Sequence, residues 1–502
     1  MPTKLMTPGV YIEEKNAFPS SAVAVETAVP VFIGYTEKAE WNGKSLIEKP
    51  TRITSFAEYV ERFGAGFNAK FTLADADPAA KQETFALDGK QMVVEITKNH
   101  TFYLFNSIRL FYANGGGPCY ILSVDTYKDK KDGLEIKAED FIGSATKSDP
   151  FEILKKEFEP TLVLVPDAIA LGEECYSSIY TKILAHCAKM QSRFGIFDLV
   201  KQLPSDETSN VVGAFRDNIG MNDLKYGAAY YPWLKTSIVQ PSEVTFESLD
   251  DTVDLSTILP ATEVAALGVV KNFKAKTTPD DNDKLNYHQA LKATSPTYNN
   301  ILEEVRAKLN ELPAAPAMAG LYTAVDNSRG VWKSPANVSV SMVNAPTVNI
   351  SHEQQEDLNV DVLAGKSINV IRSFPGIGTL VWGGRTLDGN SQDWRYINVR
   401  RTLIMIEQSL KLATRAYVFE PNDANTWITV KCMIMNFLTN LWKQGALAGS
   451  VPEQAFDVQI GLGTTMTPTD ILDGKMLITV KVAIVRPAEF IVITFQQQMQ
   501  QS

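Results

Sequence analysis

The chain has 502 residues, of which 45% are hydrophobic and 21% are charged, and its formal net charge is −10. This composition is typical of a globular protein with a large core and argues against intrinsic disorder. The acidic balance disfavours non-specific binding to nucleic acid, because such binding needs an excess of Lys and Arg. The length suggests about three domains.

The cysteines and the apolar runs bear on the cellular compartment. The four cysteines show no C-x-x-C spacing, and we expect free thiols in a reducing environment. The N-terminal residues lack the apolar region of a signal peptide, and no run of about 18 apolar residues suggests a membrane span. We therefore expect synthesis in the cytoplasm.

Short apolar runs alternate with amphipathic stretches in the first 240 residues. Residues 29–35 predict a buried strand, and residues 54–64 predict a helix with capping-box spacing at its start and a terminal glycine. Residues 161–200 contain a strand, an amphipathic helix and a second strand, and residues 226–237 continue the pattern. This βαβ pattern predicts an α/β fold with a parallel sheet. Weakly patterned or polar stretches are interpreted as variable insertions at 66–100, 126–150 and 240–300.

The C-terminal part has a different pattern. Apolar residues recur at spacings of three and four over 403–417 and again over 427–441, with Asp423 as the N-cap of the second helix. Strands are predicted next, at 456–460, 477–485 and 489–495. Two helices on a small mixed sheet are therefore expected here.

Two motifs partly match known functional sites. Gly365-Lys366-Ser367 resembles the end of a phosphate-binding loop, but Val360 stands where that loop requires glycine. Lys366→Ala is accordingly expected to leave stability nearly unchanged. The stretch 352–356 resembles half of a zinc-protease helix, but it ends in Glu rather than His, and the capping-box spacing of Ser351 and Gln354 predicts only a helix start.

Hydrolase chemistry is also weakly supported. The sequence has no G-x-S-x-G motif, and its four histidines show no metal-ligand spacing. Asp167, at the end of a predicted strand, has a residue type found in α/β active sites, but a lone carboxylate there is more often a turn cap. We expect no catalytic residue, metal site or cofactor.

Several segments carry a pattern that is found together in one known family. They are 7–14, 319–337, 358–387, 394–410, 419–427, 437–456 and 485–495. In this order and spacing they resemble the tail sheath proteins of contractile phage tails and related injection systems. The resemblance covers about 180 C-terminal residues and roughly the first 35.

The resemblance implies a structural polymer rather than an enzyme. Subunits would stack in rings around an inner tube, and contraction would drive that tube through a target membrane. A static shell or tube protein is the alternative, and an α/β enzyme is a more distant one. The implied partners are further copies of the chain, the tube protein, baseplate and terminal cap proteins and possible sheath paralogues, without nucleic acid or direct membrane insertion. The implied location is a phage tail or a phage-tail-like particle that is assembled in the bacterial cytoplasm, with extracellular action after release as one option.

The resemblance also implies a domain plan. Residues 1–35 would form an arm that joins the inner domain, and 36–379 an outer and middle α/β domain with a subtilisin-like topology but no triad. Residues 380–502 would form the inner-layer α+β domain, which the arm completes. Strands linking neighbouring subunits are expected at Val10, Tyr11, Ile12, Phe490, Ile491, Val492 and Ile493. Basic side chains that would face the tube are Lys411, Arg415 and Lys443.

The stretch 381–401 combines Gly383 and Gly384 with four arginines, which could cradle a phosphate or dock a helix. In view of the resemblance we interpret it as an assembly motif. Aromatic residues would anchor the glycine turn in the core, and the arginines would form ion pairs that fix the next helix or contact neighbours. Its members are Trp382, Arg385, Trp394, Arg395, Tyr396, Arg400 and Arg401.

Overall fold

The computed structural model describes residues 22–77, 83–130, 132–202 and 210–492. The chain divides into two compact units. The smaller contains residues 22–25 and 405–485, and the larger contains residues 26–404 and 486–492. The sequence had suggested boundaries at 35 and 379.

Within these described residues the strands, in chain order, are β1 (Pro30–Thr36), β2 (Glu40–Trp41), β3 (Lys44–Ser45), β4 (Thr51–Ile53), β5 (Phe71–Asp75), β6 (Phe85–Leu87), β7 (Lys90–Ile96), β8 (Cys119–Thr126), β9 (Leu162–Leu164), β10 (Phe194–Asp198), β11 (Gly227–Tyr231), β12 (Leu234–Thr236), β13 (Glu311–Leu312), β14 (Val338–Ser339), β15 (Val343–Pro346), β16 (Ile368–Phe374), β17 (Gly378–Val381), β18 (Phe456–Gln459) and β19 (Thr479–Val482).

The α-helices of the same residues are α1 (Phe56–Phe63), α2 (Leu104–Ala113), α3 (Ala138–Ile142), α4 (Pro150–Leu154), α5 (Thr181–Met190), α6 (Val211–Asn218), α7 (Leu255–Ile258), α8 (Val264–Lys274), α9 (Asp281–Thr294), α10 (Pro296–Leu309), α11 (Ala315–Arg329), α12 (His352–Asn359), α13 (Ile397–Thr414), α14 (Ala424–Lys443), α15 (Pro452–Ala455) and α16 (Pro468–Leu472). A π-helical turn at Tyr176–Tyr180 precedes α5, and short 3₁₀ turns lie at Pro166–Leu171, Leu224–Tyr226, Phe246–Ser248 and Arg415–Tyr417.

A nine-stranded sheet organises the larger unit. Its order is β14-β17-β16-β11-β10-β9-β1-β8-β4. The six strands from β16 to β8 are parallel, and antiparallel strands flank them on both sides. This confirms the expected α/β class. The expected likeness to subtilisin stays a prediction.

Strand β1 lies between β8 and β9, in the interior of this sheet. All seven of its residues are buried, as the apolar run predicted. It was nevertheless assigned to an arm that joins the C-terminal domain, and that placement is wrong for residues 30–35. The physical reason is that a strand apolar on both faces is most stable with parallel neighbours on both edges and helices on both faces.

Side chains of β1 alternate between two cores. Val31, Ile33 and Tyr35 pack on one face, where the helix α5 and the turns before it lie. Phe32 packs on the other, against Phe111 of α2 and residues of α11. The sheet is therefore covered by helices on both faces, as in doubly wound folds.

Two of the three presumed insertions form a third core. The sheet β5-β7-β6, from residues 71–96, packs with helices α7 to α10, from residues 255–309. Their interpretation as irregular periphery is wrong for most of 240–300. Helix α9 has a capping box at Asp280 and Asp283 and buries Tyr287, His288 and Leu291 along one side. Its other positions are mostly polar, so the sequence of α9 shows no clear apolar repeat of three and four residues.

The smaller unit contains the second half of α13, then α14, and the pair β18–β19. Helix α14 begins after Asp423, whose side chain accepts a hydrogen bond from Thr426 N, as predicted. Strands β18 and β19 pair antiparallel. A mixed sheet with further strands stays a prediction. The third predicted strand, at 489–495, is not formed over residues 489–492.

Candidate assembly site around the arginine motif

The glycine pair after β17 makes a tightly packed corner. A Cβ on Gly383 would lie 2.9 Å from the Cα of Asn369, and one on Gly384 would lie 2.3 Å from the Oγ of Ser334. The buried Asn369 amide accepts from Arg385 N at 2.8 Å and donates to Arg385 O at 2.7 Å. These two positions therefore hold glycine because a side chain at either would clash with Asn369 or Ser334. The Asn369 amide fixes the backbone just after them through its two bonds to Arg385.

The first arginine of the motif binds a distant carboxylate. Arg385 is 4% exposed and pairs with Glu489, with Nη2 2.7 Å from Oε2 and Nε 2.9 Å from Oε1. Asn359 Nδ2 donates to Oε1 at 2.8 Å, and Tyr396 Oη donates to Oε2 at 3.1 Å. Burial opposes ionisation of Glu489, but these donors and the Arg385 charge outweigh it and lower its pKa.

Arg401 forms a second ion pair, at the start of α13. Its Nη1 and Nη2 donate to the two carboxylate oxygens of Asp326 in α11, at 3.0 and 2.5 Å, and the side chains are 3% and 4% exposed. Thr27 donates from its hydroxyl to Asp326 at 2.6 Å and accepts from Arg401 through its carbonyl at 3.0 Å. The guanidinium also lies 4.5 Å from the ring centroid of Tyr322. The N-terminal part of α13 is therefore fixed to α11 within the larger unit.

The other two arginines also have contacts close by. The Arg400 guanidinium carbon lies 4.8 Å from the ring centroid of Trp394 and 5.0 Å from that of Tyr226. Arg395 donates from Nε to the carbonyl of Ser391 at 3.1 Å. The structure thus shows ion pairs for Arg385 and Arg401, an aromatic contact for Arg400 and a local turn contact for Arg395.

The aromatic residues are less buried than expected. Trp382 is 40% exposed and packs on Phe374 across the β16–β17 hairpin, with ring centroids 4.7 Å apart. The expectation that it anchors the core is wrong, because β17 lies near the edge of the sheet. Trp394 and Tyr396 are half-buried and contact charged groups, Arg400 and Glu489 respectively.

The loop around Gly365, which resembles the end of a phosphate-binding loop, uses its backbone N–H groups for hydrogen bonds within the loop. The carboxylate of Asp361 accepts hydrogen bonds from the backbone N–H groups of Leu363, Ala364 and Lys366, each at 3.1 Å. These are the kind of groups that would bind a phosphate in a nucleotide site. Lys366 is 3% exposed and its ammonium donates to the Arg216 carbonyl. We therefore revise the expectation for Lys366→Ala: because this lysine is an internal bonding partner, its loss should lower stability.

Asp167 follows β9 at the carboxyl edge of the sheet, where ligands bind in many doubly wound folds. It is fully buried and accepts from Tyr35 N at 2.8 Å, Tyr103 N at 2.6 Å and Leu104 N at 3.0 Å. Burial raises its pKa to about 6 against the opposing effect of these three bonds. It joins the end of β1 to the start of α2, so the turn-cap interpretation is confirmed.

The residues expected to link subunits are only partly described. Val10, Tyr11, Ile12 and Ile493 lie outside the described residues. Phe490, Ile491 and Val492 are 72%, 78% and 88% exposed. Their role in linkage stays a prediction.

The basic residues expected to face a tube are exposed in the smaller unit. Lys411 lies in the last turn of α13, Arg415 follows in a 3₁₀ turn, and Lys443 ends α14. On α14, the side chains of four residues of the predicted apolar stripe are buried. They are Val430, Ile434, Leu438 and Leu441. The contact of Lys411, Arg415 and Lys443 with a tube stays a prediction.

Across residues 22–77, 83–130, 132–202 and 210–492, no group of three or more His, Cys, Asp or Glu side chains is arranged to hold a metal ion. None of the helices in that part of the chain is long and apolar enough to cross a membrane. The four cysteines are free thiols, with Cys432 exposed and the others buried.

The sequence and fold match known sheath proteins. Residues 390–498 match the family model described as the phage tail sheath C-terminal domain. The helical sheath of the anti-feeding prophage (AFP) in its contracted state is 30% identical over 98% of this chain and 99% of that chain, with a TM-score of 0.60. The chain belongs to the contractile tail sheath family.

Two further sheath proteins are also similar to this chain. The sheath of an extracellular contractile injection system, the PVC sheath complex in its contracted state, is 28% identical over 99% of both chains, with a TM-score of 0.61. The tail sheath protein of Vibrio phage KVP40 is 24% identical over 42% of this chain. That match spans only 30% of the phage protein's length.

Sequence reasoning found the arginines of this sheath protein but missed their carboxylate partners. Asp326 is 75 residues from Arg401, and Glu489 is 104 residues from Arg385. Helix and strand periodicities relate residues only a few positions apart, so they cannot predict such distant pairs. Both acids do lie in segments that carry the family resemblance. Membership of those segments was the feature of the sequence that could have marked them as important.

Proposed function

We propose that this protein is the structural subunit of a contractile sheath. Copies polymerise as stacked rings around an inner tube, and contraction of the polymer drives the tube through a target membrane. The observation that carries the proposal is the match over 98% of the chain to the AFP helical sheath, at 30% identity. A match of that extent includes the outer and inner parts of the subunit together.

The small sheet of the inner domain supports assembly by strand addition. Among the described residues, β18 and β19 form a two-stranded ladder, and just beyond β19 a single antiparallel bridge joins Leu447 to Ile484. A two-stranded sheet is marginal alone, and its open edges accept strands from another chain. Each added backbone hydrogen bond contributes about 0.5–1.5 kcal/mol net, and a polymer repeats this at every subunit. The N-terminal arm and the C-terminal segment are the proposed donors.

The protein acts mechanically and not as an enzyme. Asp167, which has the position of a catalytic acid in an α/β sheet, is fully engaged by three backbone N–H groups. The phosphate-loop-like segment is closed by Asp361 in the same way. Both features support a scaffold.

The partners follow from this role. Other copies of the chain form the sheath, a tube protein lies inside it, and baseplate and terminal cap proteins close its ends, with sheath paralogues as further possible subunits. Lys411, Arg415 and Lys443 supply a positively charged contact for the tube. The particle is a phage tail or a phage-tail-like particle assembled in the bacterial cytoplasm.

Negative-stain electron microscopy of the purified chain tests the proposal. Striated cylinders with a wide and a narrow form are expected. A single diameter under all conditions supports a static shell or tube, and discrete particles with catalytic turnover support an enzyme.

Deleting residues 1–15 tests the arm. The shortened chain should melt close to the wild type yet form no cylinders or only short rings, because the sheet edge of the recipient stays open. Ile12→Pro should partly mimic the deletion, since proline cannot donate to a strand ladder. Normal cylinders from the shortened chain would exclude the arm as the link.

A further inference from the structure

A buried arginine holds the end of the short helix α4. Arg193 lies directly before β10 and is 0% exposed. Its Nη2 donates to the carbonyl of Leu154 at 2.6 Å and to the carbonyl of Glu157. Cationic side chains are favourable donors to the last carbonyls of a helix. Arg193 therefore fixes the end of α4, whose side chains of Phe151 and Leu154 are buried in the core on this face of the main sheet.

The same guanidinium contacts a histidine that must be neutral. Nη1 of Arg193 lies 2.6 Å from Nε2 of His186 in α5, and His186 is 4% exposed. Arginine has donors only, so Nε2 is the acceptor, and an imidazole can accept only while it is uncharged. The ring proton is then on Nδ1. Nδ1 of His186 and Nε of Arg193 are both buried and bond to no group among the described residues.

The surroundings of this pair are poorly suited to a second positive charge. In the described part of the chain, the hydrogen-bond partners of the guanidinium are uncharged, namely a ring nitrogen and two carbonyl oxygens. The charged groups that face His186 are Arg193, Lys155, Glu152 and Lys189, and Glu157 faces Arg193. Glu152 is 62% exposed and already paired with Lys155. A proton on His186 would therefore place two cations in direct contact in a buried site.

We propose that His186 and Arg193 form an acid-sensitive latch: the neutral pair holds α4 against α5 and β10, and proton uptake by His186 releases residues 150–157 locally. Arg193 is the part that binds α4, and His186 is the part that responds to pH. The segment is short and buries only Pro150, Phe151 and Leu154 within α4. Local opening of such a segment costs less free energy than unfolding of the whole unit. The latch does not depend on the sheath proposal.

The direction of the pH effect follows from which form binds the proton. In the closed form, burial and then the Arg193 charge lower the pKa of His186 to about 3, whereas a released histidine has its ordinary pKa of about 6.5. Between these values the open form takes up a proton and the closed form does not. A falling pH therefore favours the open form by up to about tenfold per pH unit, and from pH 7 to pH 5 the open fraction should rise about 25-fold.

Hydrogen–deuterium exchange with mass spectrometry on the unassembled full-length chain tests the latch. Peptides that cover residues 150–157 are compared at pH 7 and pH 5, after correction for the pH dependence of the chemical exchange rate. Their protection should fall about 25-fold. Peptides from α14, which contains no histidine, should keep their protection.

Two histidine variants separate the latch from general effects of acid. His186→Gln keeps a neutral acceptor for Arg193 but cannot take up a proton in this range, so its 150–157 peptides should lose the pH dependence. His352→Gln, at a side chain that is 87% exposed in α12, is the matched control and should behave like the wild type. Each chain is compared with itself at two pH values, so a constant loss of stability in a variant does not affect the result. His186→Asn is the second variant if the glutamine chain does not fold.

A loss of protection at pH 5 that is confined to residues 150–157 and the segments around them, and that is absent in His186→Gln, supports the latch. Unchanged protection of the wild-type segment at pH 5 overturns the inference, and so does an equal loss in the His186→Gln chain. An equal loss in all peptides, those of α14 included, also overturns it, because acid would then unfold the whole protein instead of releasing one segment.

Discussion

Replacing Asp326 by alanine should destabilise the larger unit more than any exposed ion-pair mutation. Asp326 and Arg401 are 4% and 3% exposed and form two hydrogen bonds with each other. Removal of one partner leaves a buried guanidinium without its carboxylate, which costs about 3–5 kcal/mol. Arg401 keeps its contacts with Tyr322 and the Thr27 carbonyl, which argues for the lower part of that range.

The loss is measurable on unassembled protein. With an unfolding entropy of about 2.1 cal/mol/K per residue, a unit of this size loses roughly 4–6 °C in melting temperature. Urea unfolding followed by circular dichroism gives the free energy directly. Glu303→Ala, which removes the 60% exposed partner of Arg306, is the control and should cost less than about 1 kcal/mol.

A double variant distinguishes two causes of the loss in stability: the missing ion pair itself and the charge that is left buried without a partner. Asp326→Leu with Arg401→Met replaces the pair by apolar groups, and it should be more stable than Asp326→Ala alone, as buried pairs often tolerate joint replacement. A loss below about 1 kcal/mol for Asp326→Ala, or a double variant that loses the sum of the single losses, would refute the reasoning.

Three further perturbations have defined outcomes. His186 is buried with Nε2 2.6 Å from Nη1 of the always-charged Arg193, and burial followed by that charge lowers its pKa to about 3. Stability should therefore fall by up to about 1.4 kcal/mol per pH unit as the pH drops below about 6.5 toward 3, and His186→Gln, measured by urea unfolding, should remove this dependence. Reversing Lys411 and Arg415 to glutamate should weaken co-assembly with the tube protein most at low salt, and unchanged co-sedimentation at every ionic strength would contradict the charged contact. Lys366→Ala should lower stability by about 1–3 kcal/mol through the lost bond to the Arg216 carbonyl, and ATP should shift the melting temperature of neither chain.

Local signals predicted elements whose ends are fixed by neighbouring residues. Helix α1 was found because Ser55 accepts from Glu58 N at its start and Gly64 has a φ of 84° at its end. Strand β1 was found because both of its faces are apolar. These features depend only on residues a few positions apart.

Elements fixed by distant contacts were harder to predict. Helix α9 was missed because it buries few residues, although the capping box at Asp280 and Asp283 is readable in the polar run that we interpreted as part of a variable insertion. Helix α11 was missed for the opposite reason, since it is buried around most of its circumference and shows little periodicity. Glu489 and Asp326 have no local signature as partners, because the fold alone brings them to their arginines.

The carboxyl edge of the main sheet shows how an α/β fold can serve as a scaffold. In doubly wound proteins, backbone N–H groups at helix starts there are available to ligands. Here Asp167 binds the start of α2, and Asp198, at the end of β10, accepts from Ala314 N and Ala315 N at the start of α11, at 2.7 and 2.8 Å. Neither helix has a side-chain cap of its own at its first position, so each strand supplies the cap for a helix on the sheet. Burial raises the pKa values of these acids to about 6 and 7, a cost that the N–H bonds and the helix dipoles offset. The polar groups that would bind a substrate in an enzyme instead bind helices to the sheet, which suits a subunit that transmits force.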